Sequence, residues 1–205
     1  NHFFLKAAQL FLAVGYIIYE NNPLAAFERI KEAVQSQENF DKKKEAVFID
    51  LMAKNKQLRA LNELFQMLDM TKHDTNSVLN LAKAYYQIKA YRPAIIVLKK
   101  LFEENPQDPL IIEYLGVCYD NIKYTEDAIK VFEHGIIVHP NNASFYFCLG
   151  ALYEKAKELG KACAAFDRAI QVGHPMTAAI KQRIEMLKKL QSGEHAHFNI
   201  TMGKV

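Results

Sequence analysis

Leu81-Ala82-Lys83-Ala84-Tyr85, Leu115-Gly116-Val117-Cys118-Tyr119 and Leu149-Gly150-Ala151-Leu152-Tyr153 are one pattern written three times at a spacing of 34 residues. Each is followed in step by a small residue, Ala94, Ala128 or Ala162, and then by a large one, Leu98, Phe132 or Phe166. A self-similar period of this length marks a stack of supersecondary units. The stretch from Thr75 to Met176 therefore decides the fold, and it points to a surface made for binding.

Counting outward from these three blocks in the same step gives five: about 7–40, 41–74, 75–108, 109–142 and 143–176. A last helix covers 177–190, so the repeat domain runs over 1–190 and leaves a tail at 191–205. Ala26 and Ala60 continue the row of small residues into the first two blocks. Leu115 with Tyr119 is an i, i+4 pair, and Ala128, Phe132 and Gly135 run i, i+4, i+7 along one stripe. That period is helical. Each block reads as two antiparallel helices, with Gly116, Gly150 and the alanines letting the two axes close to roughly 8–10 Å. Prolines fall where a missing amide hydrogen costs little: Pro106 and Pro140 after second helices, Pro109 opening a first helix, Pro23 and Pro93 in first turns, and Pro175 behind a C-capping Gly173.

These residues resemble the tetratricopeptide repeat family, whose pattern is Leu-Gly-x-x-Tyr, an Ala, a Phe and a closing Pro over 34 residues. The resemblance covers about 7–190 and implies a right-handed α-solenoid of antiparallel helix pairs, with five repeats and a C-terminal capping helix. The first two blocks depart from the pattern, since Val14 and Phe48 stand where Ala82, Gly116 and Gly150 stand later. Stacked units bury their faces against one another, so the ends need covering. The last helix supplies a cap, with Ile180, Ile184 and Leu187 on one side and Lys181, Arg183, Lys188 and Lys189 on the other. The first helix, with Phe3, Phe4, Phe11, Leu12 and Ile18, is apolar nearly all round and expects a cover.

Half of the 205 residues are hydrophobic and 24% are charged, so the chain is long and apolar enough to bury a core. A net charge of +3 demands no acidic partner. The basic runs Lys42-Lys43-Lys44, Lys99-Lys100 and Lys188-Lys189 read as solvated helix faces, and no nucleic acid is expected. Cys118, Cys148 and Cys163 cannot all pair within one chain, and each fits a small apolar position. They read as reduced, buried thiols of a cytoplasmic protein, with peripheral association with a membrane complex left open. Asn142-Ala143-Ser144 and Asn199-Ile200-Thr201 match a glycosylation pattern that means little without secretory context. Phe3 to Tyr19 is interrupted by Lys6 and Gln9, and Leu10 to Tyr19 falls far short of the ~20 residues a membrane helix needs. Direct membrane insertion is not expected, nor is a signal peptide.

No constellation here reads as chemistry, so no enzyme, cofactor or metal is expected. His73, His134, His139 and His174 lie near helix ends and read as surface histidines. Glu103-Glu104 and Glu126-Asp127 fall on exposed positions, and His195-Ala196-His197 has no third ligand in range. What remains is recognition. In a stack of such hairpins the first helices line an inner groove, and the resemblance implies a protein or peptide partner there. The residues pointing away from the second helices are Leu79, Asn80, Lys83, Tyr86, Gln87, Leu110, Glu113, Tyr114, Val117, Asn121, Phe147 and Ala151, with Ile49, Met52, Asp120, Glu154 and Lys155 beside them. Amides can bond a peptide backbone in both directions, and the aromatic residues offer rigid apolar area. The carboxylate clamp that some relatives use for acidic chaperone tails is absent, because Asn80 has only Glu45, Ile49, Leu110 and Tyr114 at its companion positions. The leading expectation is an adaptor or assembly factor. The second is a self-assembling homo-oligomer held through Phe3, Phe4, Phe11, Leu12 and Ile18. The third is a docking region excised from a larger protein, since the chain opens at Asn1 without a Met.

Overall fold

The structure, a computed structural model, describes residues 75–192 together with Ile49, Asp50 and Ala53, all three helical. Seven helices are complete among the described residues: α1 Thr75–Gln87, α2 Tyr91–Glu104, α3 Pro109–Asn121, α4 Thr125–Val138, α5 Ala143–Lys155, α6 Leu159–Gln171 and α7 Thr177–Ser192. No strand occurs among them. The chain divides into two compact units, 1–101 and 102–205.

Side chains and turns set the ends. Asp108 caps α3, its Oδ1 accepting from the amides of Leu110 at 2.8 Å and Ile111 at 3.3 Å, and Pro109 fills the first helical position. Asn142 caps α5 by accepting from the Ser144 amide at 3.1 Å. The Asn-Ala-Ser tripeptide is thus a helix start. The hairpin turns repeat one device. Ala90, Tyr124 and Glu158 donate to the carbonyls of Tyr85, Tyr119 and Tyr153, while Lys89, Lys123 and Lys157 donate to those of Tyr86, Asp120 and Glu154. That pair of bonds is a Schellman motif, which requires a left-handed residue at its corner. The three lysines take it, with φ of 62°, 68° and 62°. A fourth copy closes α6, with Gly173 at φ 92°.

In the first unit, α1 buries Val78, Leu79, Leu81, Ala82, Ala84 and Tyr85, and α2 buries Ala94, Ile95, Val97, Leu98 and Leu101. In the second, α3 packs on α4, α4 on α5, α5 on α6 and α6 on α7. The glycines of the repeated pattern act through a ring. A Cβ on Gly116 would stand 2.4 Å from Phe132, and one on Gly150 would stand 2.5 Å from Phe166. At the corresponding positions of the first unit the sizes are exchanged, Ala82 and Leu98 both being fully buried. At the end of the second unit, α7 lays Ile180, Ile184 and Leu187 against Ala162, Cys163, Phe166 and Ala169.

Two stability tests follow from these contacts. A left-handed L-residue is disfavoured by roughly 1–2 kcal/mol, and glycine gives back part of that in chain entropy. Lys123→Gly and Lys157→Gly are each expected to stabilise by about 0.5–1 kcal/mol in denaturant titrations. An unchanged or lower midpoint refutes the strain assigned to the corner. Gly116→Ala overpacks the Phe132 ring and is expected to destabilise by about 1–3 kcal/mol. Adding Phe132→Leu recreates the Ala82 and Leu98 pairing and should recover most of that loss. A double-mutant cycle with no coupling would show that the ring does not decide the joint.

Candidate functional site

On α1, Asn80, Lys83 and Gln87 follow one another at i, i+3 and i+7. The fold gathers them with Ile49, Asp50 and Ala84 around a cavity of about 170 Å3. Leu79 is not part of any surface: it is 3% exposed and belongs to the core of the first unit. Tyr86 is half-buried and packs its ring on Tyr91 across the hairpin turn, 5.9 Å between centroids.

In the second unit, Leu110, Glu113 and Asn121 are exposed on α3, while Tyr114 and Val117 are half-buried. Asn121 donates from its amide nitrogen to the Val117 carbonyl at 2.8 Å, so one of its donors serves its own helix. From α5, Phe147 and Ala151 are half-buried. Two ion pairs link successive inner helices. Lys155 reaches both oxygens of Asp120, at 2.6 and 2.5 Å. Arg183 donates from Nε to one oxygen of Glu154 at 2.9 Å and from Nη2 to the other. As exposed pairs each contributes at most about 1 kcal/mol to stability, and each sets its two charges against one another.

The sequence pattern of α7 predicts a solubilising cap. Met176, Ala179, Ile180 and Arg183 instead stand with Phe147, Ala151, Glu154 and Phe166 around a cavity of about 290 Å3. The i, i+4 spacing of Ala179 and Arg183 was the available signal.

Of the described histidines, His174 differs from the expectation of a surface residue. His174 is 7% exposed, stacked on Phe147 at 4.7 Å, and its Nδ1 accepts from the Met176 amide at 3.2 Å. The turn after α6 folds it inward, since Gly173 reverses the chain there. His134 and His139 donate from Nε2 to the carbonyls of Pro106 at 2.8 Å and Gln107 at 2.6 Å. They tie α4 to the turn before α3. His73 lies outside the described residues, as do Met52 and the five apolar residues Phe3, Phe4, Phe11, Leu12 and Ile18.

Among the described residues, no group of three or more His, Cys, Asp or Glu is placed to hold a metal, and no helix is long and apolar enough to cross a membrane. The three cysteines are free. Burial pushes the Cys118 thiol up to about 12. It also pushes Cys148 up to about 11, with Glu113 and Asp120 adding to the shift and Lys155 opposing it. Burial raises Cys163 as well. A thiol that stays protonated is a poor nucleophile and a poor ligand.

A stack of hairpins with ring-on-glycine joints, left-handed corners and a mixed inner face is the tetratricopeptide repeat fold, an α-solenoid of helix pairs. Three solved structures share it. SycD, the type III secretion chaperone of Yersinia enterocolitica, in complex with a peptide of the translocator YopD, aligns with a TM-score of 0.54 and 19% identity over 57% of this chain and 93% of that one. The first TPR domain of Spaghetti (RPAP3), bound to an HSP90 peptide, gives 0.54 and 14% over 58% and 93%. MamA of Desulfovibrio magneticus RS-1, from residue 41 to its end, gives 0.58 and 17% over 83% and 96%. No protein-family model matches the sequence, and no curated protein does.

The thiols give a pH-dependent prediction. Unfolding releases Cys118 from about 12 to its ordinary value of 9.0, so between those values the unfolded chain holds fewer protons. Stability should therefore be full below pH 9 and fall as pH rises towards 12. Alkylation with iodoacetamide at pH 8 should be slow in the folded chain and complete for all three cysteines in denaturant. Fast native labelling of Cys118 overturns its burial.

Proposed function

We propose that this chain is a non-enzymatic protein–protein interaction module that holds a peptide or a partner's helix against the inner faces of its first helices, as an adaptor or assembly factor of a larger complex. One observation carries the reading: Val117, Phe147 and Ala151 remain half-buried on α3 and α5 between ion pairs that already satisfy each other. Such a face gains by burying apolar area rather than by attracting charge. The peptide-bound relatives of the same fold support it, SycD with its YopD peptide and RPAP3 with its HSP90 peptide. In the first unit, Asn80, Lys83 and Gln87 supply polar contacts for a main chain. Raised, buried thiols favour a reducing compartment, and we place the protein in the cytoplasm, free or on the periphery of a membrane complex.

The acidic-tail mode of binding is disfavoured, because the residues around Asn80 supply no clamp of lysines. The test takes the partner captured by the full chain, purifies it and measures affinity by calorimetry. Tyr114→Ala and Asn80→Ala are each expected to weaken binding by about tenfold, as truncation of a contact residue does. The helical melting curve should stay where it is. Capture that survives both substitutions removes these faces as the site.

A further inference from the structure

The inner side of α7 carries more than an end cap requires. Met176 is 53% exposed and Ala179 is exposed, and with Ile180 they face Phe147, Ala151 and Phe166 across the cavity of about 290 Å3. An apolar cavity of about 150 Å3 already takes up benzene. There is room here for an aromatic or long aliphatic side chain. The back wall is stiff, since Phe147 is held between His174 at 4.7 Å and Phe166 at 5.8 Å. The mouth is adaptable, because Met176 has an unbranched, polarisable chain that reshapes around what it meets.

Charge decides the occupant. The cavity's two charged residues are Glu154 and Arg183, and both carboxylate oxygens of Glu154 accept from that one guanidinium. A charged side chain entering here would give up part of its water and find no free counter-charge among the lining residues. We infer that this cavity is an anchor site taking one bulky, uncharged side chain, Leu, Met or Phe, from a partner peptide that lies along α5 and α7. The terminal helix is then a wall of the ligand site. The inference deepens the interaction-module reading and rests on it.

The test uses the full chain labelled with 13C at its methionine methyls, of which there are six. N-acetyl amides of Leu, Phe, Asp and Lys stand in for anchor side chains. Met176 is expected to shift saturably with the Leu and Phe amides and not with the Asp or Lys amides. Ala179→Leu fills the cavity and should weaken that response by about tenfold. Ala178→Leu, exposed on the same helix but outside the cavity, should leave it unchanged. Glu154→Gln strips Arg183 of its carboxylate, and the Asp amide should then bind, a gain that a merely sticky surface would not give. The proposal is overturned by equal responses to charged and apolar amides, by a response that survives Ala179→Leu at full strength, or by a Met176 shift that follows protein concentration alone, which would seat a second copy there. Any of these leaves the Tyr114→Ala and Asn80→Ala results untouched, so the anchor and the module fail separately.

Discussion

A phenylalanine ring resting on a helix that has no side chain beneath it is the contact on which the rest depends. Phe132 covers Gly116 and Phe166 covers Gly150 so closely that a single added carbon would collide with the ring. The joint fixes how far one helix slides along the other, because a ring can sit flat only where the backbone is bare. It also fixes rotation: once Gly116 faces α4, Val117 must face elsewhere, since successive residues turn by about 100° along a helix. The inner face is therefore defined by what the core demands. At the same two repeat positions Ala82 and Leu98 are both fully buried and have a similar total volume, an exchange that cores tolerate well.

What the inner face offers follows from its charges. Asp120 with Lys155 and Glu154 with Arg183 join one first helix to the next. Such exposed pairs add little to folding, yet each offsets its own two charges, which weakens their pull on an acidic or basic partner. Beside these pairs the first helices present half-buried apolar side chains, amides and the exposed Glu113. Half-buried Phe147 and Val117 illustrate the compromise: each is covered enough to be held in place and open enough to be covered further.

The repeats were legible because each one reuses the same few contacts, so the tyrosines, glycines and alanines recur in step. The corners were less so. Lysine rather than glycine occupies three left-handed positions, and no propensity argument would choose it. Asn142 advertised a modification pattern and serves as a cap. His174 looked like a surface residue because it follows a helix end, but the reversal at Gly173 turns it under Phe147. Leu79 was placed on the surface by register alone, and its burial comes from packing that the local pattern does not contain.

The largest thing the sequence hid lies in α7, and the reason is one extra residue. Ile180, Ile184 and Leu187 fill the places of Phe145, Leu149 and Leu152 at a spacing of 35 rather than 34, so a strict period misaligns the helix. In the corrected register Glu185 stands where Gly150 stands and Lys188 where Tyr153 stands, the positions that would meet a following second helix. Charges there end the stack, because no ring can seat on Glu185. Capping thus accounts for the outer side of α7 and asks nothing of the other side. Met176, Met186 and Leu190 are nonetheless exposed on this helix and its leading turn, although polar residues would dissolve a terminal helix better. Of the three only Met176 lines the cavity, so it alone bears on the anchor site inferred above.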